Sequence, residues 1–524
     1  MSAAVPSRAP GAPDALPPLE GATLFWGSIV LALATFMNVL DTTIVNVSIP
    51  SIAGDLGVAP DQGTWAITSF GVANAISMPL TGWLTRRYGQ VRLFTASILL
   101  FVAASFLCGL APTLPLLILF RVIQGAVAGP MVPLSQSLLL SSYPKAKSGV
   151  ALAMWSITAL VAPVVGPLLG GWITDNVSWP WIFYINVPVG LAAAAGTWLI
   201  YRARETPTVK LPIDAVGLAL LTLWVGTLQV MLDQGKDLDW FASREIVALG
   251  AVALVSFCLF VAWELTDRHP VVDLRLFARR NFWTSTLAMS LGFGTFFGNL
   301  VLLPLWLQRY MGYTATLAGM VLAPIGVLAI VLTPMVGRNV NRVDPRILAS
   351  ASFGVQALTL LLRSHFNTDA DFTALIIPTV VQGVAMSAFL IPLIALSLSG
   401  LDAAQVPAAS GLFNFARISA GSFGTSIATT WWDRRASLHH ARLVEHLTPY
   451  DPSPALAMGG LQDQFGGVDG AYAALGRAVD QQATMLSAND VFYASALLFL
   501  ALIAVIWLAR PAKGGGAPIV AGGH

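Results

Sequence analysis

Charge is what this 524-residue sequence has least of: Asp, Glu, Lys and Arg together make up 10% of it, against roughly 25% in an ordinary soluble domain. Twenty-eight basic and 26 acidic residues cannot coat a water-soluble fold of this length. A net charge of +2, with few lysines, leaves no basic face for nucleic acid. Two cysteines, Cys108 and Cys258, exclude a disulfide framework, and both are expected as buried apolar fillers. No Gly-x-x-x-x-Gly-Lys-[Ser/Thr] occurs, which argues against ATP hydrolysis by this chain. The start holds Pro6, Pro10, Pro13, Pro17 and Pro18 with a single Arg8. It lacks the charged-then-apolar layout of a signal peptide, so the first apolar run is expected to be retained.

What is present is hydrophobicity, at 56% of residues with a mean hydropathy of +0.73. The chain reads as an all-α polytopic membrane protein. A span needs ~20 mostly apolar residues, and fourteen such runs can be placed: Leu24–Val47, Thr64–Leu84, Leu93–Ala111, Pro115–Leu140, Ser148–Thr174, Trp181–Tyr201, Ile213–Leu232, Ile246–Leu265, Phe282–Leu307, Thr314–Val336, Ile347–Leu362, Phe372–Leu398, Pro407–Trp431 and Val491–Ala509. They lack the period-two alternation of lipid-facing strands, so helices follow. With the N-terminus inside, 18 Lys and Arg fall in cytoplasmic segments and 8 outside, Arg363 among the latter. This bias places both termini in the cytoplasm.

Val122-Ile-Gln-Gly-Ala-Val-Ala-Gly129 reappears as Val380-Val-Gln-Gly-Val-Ala-Met-Ser387, an offset of 258. A weaker match links the loop at Gly82 and Arg87 to the one at Gly337 and Arg342, at an offset of 255. Duplicated six-helix halves with an inserted pair, spans seven and eight, account for the count of fourteen. The expected organisation is a tail over 1–22, a bundle over 23–201, the inserted pair over 202–280, a second bundle over 281–509 and a tail over 510–524. The outer loop Asp433–Asn489 is 57 residues long, and Leu438, Ala441, Val444 and Leu447 near helical spacing predict that its first part extends span thirteen. His439, His440 and His446 in it read as surface residues, since no Cys or paired carboxylate completes a metal set.

Ionisable residues inside the apolar runs are candidates for function. Asp41 shares a stripe with Asn38, Thr42 and Asn46, about 140° wide at 100° per residue. Arg121 lies on a face of span four with Gln124 and Gln136. Arg417 lies in span thirteen with Asn414. Asp41 and Arg121 each sit about 9 Å from the outer ends of their helices, so they can pair, while Arg417 sits near the midplane. The pair either couples transport or only braces the bundle. In span five, Gly166, Gly170 and Gly171 permit close helix approach, and Pro163 and Pro167 bend the segment.

Gly82-Trp-Leu-Thr-Arg-Arg-Tyr-Gly89, Leu119-Phe-Arg-Val-Ile-Gln-Gly125, Gly166-Pro-Leu-Leu-Gly-Gly171 and Leu40-Asp-Thr-Thr-Ile-Val-Asn46 resemble the signature motifs of the major facilitator superfamily. More narrowly, the chain resembles its fourteen-helix drug:proton antiporters of the EmrB type. Met231–Trp240, Trp263-Glu-Leu-Thr-Asp267 and the Gly-rich tail extend the resemblance over nearly the whole length. It implies a major facilitator fold and a proton-driven multidrug efflux antiporter of the bacterial inner membrane, exporting lipophilic, often weakly acidic or uncoupler-like compounds. Its partners would be hydrophobic small-molecule drugs, the lipid bilayer, an EmrA-like periplasmic membrane-fusion adaptor and a TolC-like outer-membrane channel. Protons are the implied coupling ion, without cofactor, metal or enzymatic activity. A dedicated exporter of one host metabolite and a passive channel remain alternatives. The resemblance implies proton coupling at Asp41 and Arg121, an antiporter motif at Gly166, Pro167, Gly170 and Gly171, and a cytoplasmic gating loop at Gly82, Arg86, Arg87 and Gly89. On their polar stripes, Asn38, Thr42, Asn46, Gln124, Gln136, Asn414 and Arg417 are expected to line the substrate cavity. The broad superfamily carries aspartate where Arg86 stands, so its carboxylate-mediated latch is not carried over at that position.

Overall fold

In lipid every backbone N–H and C=O must be satisfied within the chain, which selects helices for each apolar run. The computed structural model describes residues 17–511 except 59, 211, 237, 446, 448–457, 459, 463, 465 and 466. Arg8, His446 and Lys513 lie outside the described residues. Among the described residues no strand occurs, and twelve helices among them are long and apolar enough to cross a membrane. The second and thirteenth expected spans are helical too. Span two is divided into Trp65–Ser77 and Thr81–Tyr88, and Val406–Glu445 carries more polar residues than the other spans.

The two bundles repeat one packing scheme. In each, the second span packs on the fourth, the third on the sixth, and the first on the fifth. Span four breaks into Leu114–Ala128 and Met131–Ser142. Span twelve breaks into Phe372–Ser387 and Leu390–Ser397. Both breaks fall at the end of the matched octapeptides. The repeat is carried by one close approach: a Cβ on Gly125 would collide with the carbonyl of Phe70, and one on Gly383 would lie 2.7 Å from the carbonyl of Pro324.

Spans seven and eight, Ala215–Gln234 and Arg244–Thr266, lie outside both bundles with only 22% of their apolar windows buried by protein. Leu223, Leu254 and Leu259 are exposed, as a lipid-facing surface requires. Cys258 is exposed on this pair, contrary to its expected role as a buried filler; Cys108 is buried. The pair rests on spans two and thirteen, with Gln229 Nε2 donating to Ser422 Oγ at 3.2 Å and Trp240 Nε1 to Thr430 Oγ1 at 2.9 Å.

Spans thirteen and fourteen overrun the bilayer. Val406–Glu445 and Val468–Trp507 contain 40 residues each, or about 60 Å of helix against a hydrocarbon core of ~30 Å. The start of the long loop is therefore helical, as expected, and so is the stretch from Val468 onward, where the sequence predicts loop. The protruding arms are stitched together. Arg435 and His439 bond Asp490 at 2.6 and 2.7 Å, and His440 bonds Asp480 at 2.8 Å. His440 is half-exposed, as expected of a surface residue, and both histidines also bridge the two helices.

Outside the spans, Asp344 caps span eleven by accepting from Arg346 N at 3.0 Å, and the adjacent guanidinium holds its carboxyl below the usual carboxylate range. Gly125→Ala and Gly383→Ala should each lower the thermal unfolding midpoint in detergent, because overpacking a closed contact costs roughly 1–3 kcal/mol. Gly354→Ala, which meets nothing within 4 Å, should leave the midpoint unchanged or raised.

Candidate functional site

Five elements of the first bundle converge on Asp41, which is 0% exposed. Arg121 Nη1 donates to Asp41 Oδ2 at 2.5 Å and to Gln124 Oε1 at 2.7 Å. Gln124 Nε2 donates to Asp41 Oδ1 at 3.1 Å, closing a three-membered ring. Arg121 and Gln124 are three residues apart on one helix, so they share a face. Arg121 Nε donates to the carbonyl of Ala66 at 2.8 Å, and its guanidinium lies 4.2 Å from the Phe70 ring centroid. Both charges are thereby neutralised and hydrogen-bonded, the condition for keeping them out of water.

Asn186 completes the shell and was not anticipated. Its Nδ2 donates to Asp41 Oδ1 at 2.8 Å and to Ser105 Oγ at 3.1 Å. Cys108 Sγ lies 3.6 Å from Gln124 Oε1. Asn38, Thr42 and Asn46 are separate from this network. Asn38 Nδ2 donates to the carbonyl of Ala128 at 3.0 Å, and the Thr42 hydroxyl turns back to Val39 O. Asn46 is exposed.

Span five is what holds span one beside this ring. A Cβ on Gly166 would strike Thr43 Oγ1, and one on Gly170 would lie 2.6 Å from the Ile44 carbonyl. Both contacts fall within a turn of Asp41. Gly171 meets nothing within 4 Å, and the side chain of Pro167 lies outside the described residues.

The second bundle carries a chemically altered copy. The offset of 258 takes Gln124 to Gln382 and Asp41 to Asn299. Asn299 Nδ2 donates to Ser495 Oγ at 3.0 Å, as a carboxamide rather than a carboxylate. Arg363 Nη2 donates to Gln382 Oε1 at 2.7 Å and Thr379 Oγ1 at 3.2 Å. Arg363 is 1% exposed, which corrects its placement among the outer-loop charges. No carboxylate among the described residues lies within ion-pair distance of it.

Between the bundles, Asn414 Nδ2 donates to Gln136 Oε1 at 3.1 Å, joining two residues expected in one cavity. Arg417 Nη2 donates to Asn414 Oδ1 at 3.1 Å. Its guanidinium lies 4.6 Å from the Phe293 centroid and 5.8 Å from that of Trp155, so it touches both halves. Its Nε is buried without a hydrogen-bond partner.

At the loop of Gly82, Arg86, Arg87 and Gly89, a Cβ on Gly82 would overlap Ala408 of span thirteen, so the loop bears on the second bundle. Arg86 is exposed, and the Arg87 guanidinium lies 5.5 Å from the Trp83 ring centroid. Gly89, at φ 88°, precedes span three. The Glu205 carboxylate caps that helix, accepting from Val91 N at 3.0 Å and Arg92 N at 2.8 Å. A carboxylate thus reaches this loop from the segment after span six rather than from position 86.

Residues 31–425 match the model of the Major Facilitator Superfamily. The chain is 51% identical over 500 residues to the multidrug export protein EmrB of Haemophilus influenzae, covering 95% of this chain and 98% of that one. It is 50% identical to EmrB of Escherichia coli K12 over the same shares of both chains. It is 49% identical over 503 residues to the fatty acid resistance protein FarB of Neisseria gonorrhoeae, covering 95% and 99%. Among solved structures, the human organic anion transporter MFSD10 (TETRAN) superposes with a TM-score of 0.54 at 12% identity, covering 92% of this chain and 100% of that one. This last likeness bears on the fold alone.

Arg121→Ala strands a carboxylate in the bundle and should destabilise the protein by about 3–5 kcal/mol. Asp41→Asn combined with Arg121→Met removes both charges and should cost less than Arg121→Ala alone. Thermal unfolding of the purified variants checks the order.

Proposed function

The chain belongs to the Major Facilitator Superfamily, and from that membership we propose that it is a proton-driven multidrug efflux antiporter of the inner membrane. Identity of about 50% with proteins named for multidrug export, across 95% of the chain, supports the cargo class. One observation carries the coupling: Asp41 is a fully buried carboxylate whose charge is balanced by a single guanidinium.

Burial disfavours the ionised form of a carboxylate and an adjacent cation favours it. A movement that separates Asp41 from Arg121 therefore changes whether Asp41 holds a proton. In the proposed cycle Asp41 loads a proton while open to the outside, as cargo leaves, and releases it toward the cytoplasm. Gln124 and Asn186 hold the carboxylate in place, and Gly166 and Gly170 let span one rock against span five without losing contact. At ~150 mV each proton charge supplies roughly 3.5 kcal/mol, enough for about a few-hundred-fold concentration ratio.

Arg417, bridging the two halves, is the proposed cargo contact from the second bundle, with Asn414 and Gln136 beside it. Anionic amphiphiles suit an aromatic-flanked guanidinium; a relative at 49% identity is named for fatty acid resistance. The bundle boundaries 23–201 and 281–509, with both termini cytoplasmic, frame this cycle. The protruding arms of spans thirteen and fourteen are the proposed dock for a periplasmic adaptor that leads to an outer-membrane channel.

Asp41→Asn should retain drug binding but abolish uphill export and drug-evoked proton flux in reconstituted vesicles. Normal coupling in that variant would move the proton site elsewhere and leave the pair as a brace. Arg417→Ala should weaken binding of anionic cargo, such as a medium-chain fatty acid, by tenfold or more, about 1.4 kcal/mol. Neutral drugs should lose less, and equal loss for both classes with normal expression would make Arg417 structural.

A further inference from the structure

A second pair of ionisable groups lies in the inserted helices, away from the Asp41 ring. Glu264, near the end of span eight, is 1% exposed, and Asp214, which caps span seven, is 9% exposed. A Cβ on Gly217 would touch Asp214 Oδ2 and lie 2.6 Å from Glu264 Oε1. The two oxygens are therefore no more than about 5 Å apart, within the range where one negative charge disfavours another. No Lys, Arg or His among the described residues forms an ion pair with either.

Their hydrogen bonds are unequal. Asp214 Oδ1 accepts from Gly217 N at 2.8 Å and Trp263 Nε1 at 3.0 Å, and Oδ2 accepts from Trp263 Nε1 at 3.0 Å. Glu264 Oε2 accepts from Val272 N at 3.2 Å. Glu264 Oε1 makes no hydrogen bond of normal geometry and lies beside Gly217 on the Asp214 side. Asp267 adds further negative potential at Glu264. The other charged or titratable residues of the following segment up to Arg275 are Arg268, His269, Asp273 and Arg275, and Asp273 accepts from Arg275 N.

We propose that Asp214 and Glu264 hold one proton between them, carried on Glu264 Oε1, as a proton-binding site of the inserted pair separate from Asp41 and Arg121. Donor geometry favours a proton over a metal ion. Gly217 N, Trp263 Nε1 and Val272 N all present N–H groups to the carboxylates, whereas a hard cation needs a cage of oxygen ligands. The proton on Oε1 satisfies the one buried oxygen left bare and removes the repulsion between the acids. Val272 and its neighbour Val271 are buried, and the bond to Glu264 ties the segment leading into span nine back onto span eight. Loss of the proton places two negative charges side by side, so the proton removes a repulsion between spans seven and eight.

The test is infrared difference spectroscopy of the full-length protein in lipid nanodiscs, titrated through neutral pH, following the carbonyl stretch of a protonated carboxylic acid. One such band should be present in the wild type and in Asp41→Asn, and absent in Glu264→Gln. In Asp214→Asn the neighbouring charge is gone, so the band should disappear at a pH about one unit lower or more. A band unchanged by Glu264→Gln overturns the proposal. So does displacement of the wild-type band by sodium or potassium at fixed pH, which would make this a cation site. The wild-type titration and the Asp214→Asn shift decide the matter even if Glu264→Gln folds poorly.

Discussion

A carboxylate and a guanidinium buried in lipid constrain everything around them, because neither is tolerable without the other. Asp41 and Arg121 arrive from spans one and four, and their hydrogen-bonding capacity is met by Gln124, Asn186 and the carbonyl of Ala66. Spans one, two, four and six are thus pinned at a common depth, with span three added through Ser105 and Cys108. The glycines of span five then set how near that helix lies to Thr43 and Ile44. A helix bundle held by apolar contacts alone has little to fix its register in lipid, since lipid tails compete equally for those contacts. The polar ring supplies the register.

The second bundle shows that one backbone plan can hold different chemistry. Gly125 and Gly383 make the same close approach, and spans four and twelve break at equivalent places. Yet Asn299 stands where Asp41 does, and the guanidinium beside Gln382 comes from a different helix, as Arg363. A carboxamide cannot take up and release a proton near neutral pH. The duplicated fold therefore leaves a single buried carboxylate at this pair of related positions, and the halves are chemically unequal despite their shared packing.

The spans and the Asp41–Arg121 pair were legible because a charge in an apolar run is conspicuous and helix rise converts position into depth. Asn186 was not, since a neutral amide near the end of a span looks like an interfacial residue until its partners are known. Arg363 was misread for a directional reason. It stands at the C-terminal end of its helix, and helical side chains lean toward the helix N-terminus, so its guanidinium points back into the bundle, onto Thr379 and Gln382. The helix from Val468 was missed because an apolar-run search cannot see an arm whose buried positions are Ala471, Val479 and Ala483 among polar residues. The cross-helix pairs of His439 and His440 depend on Asp490 and Asp480, some forty to fifty residues later in the chain, and no local pattern announces them.

The unequal halves also bear on the driving force in the proposed antiport. The buried charges of the first half cancel, whereas Arg363 and Arg417 lie in the second without an acid among the described residues within ion-pair distance. The Arg417 guanidinium, which touches both halves, favours an anion over a cation beside it. Exchange of one proton for a neutral molecule moves one charge down the membrane potential, worth about 2.3 kcal/mol per 100 mV. Exchange for a monovalent anion moves two, because the anion leaving a negative interior and the proton entering it both run downhill. The same potential then contributes about twice as much per turnover. Uncompensated guanidiniums are expensive to bury, and a cargo that brings the missing negative charge relieves that cost while it is bound. Release must restore it, so the potential that drives an anion outward acts at the step where the protein's own electrostatics oppose departure.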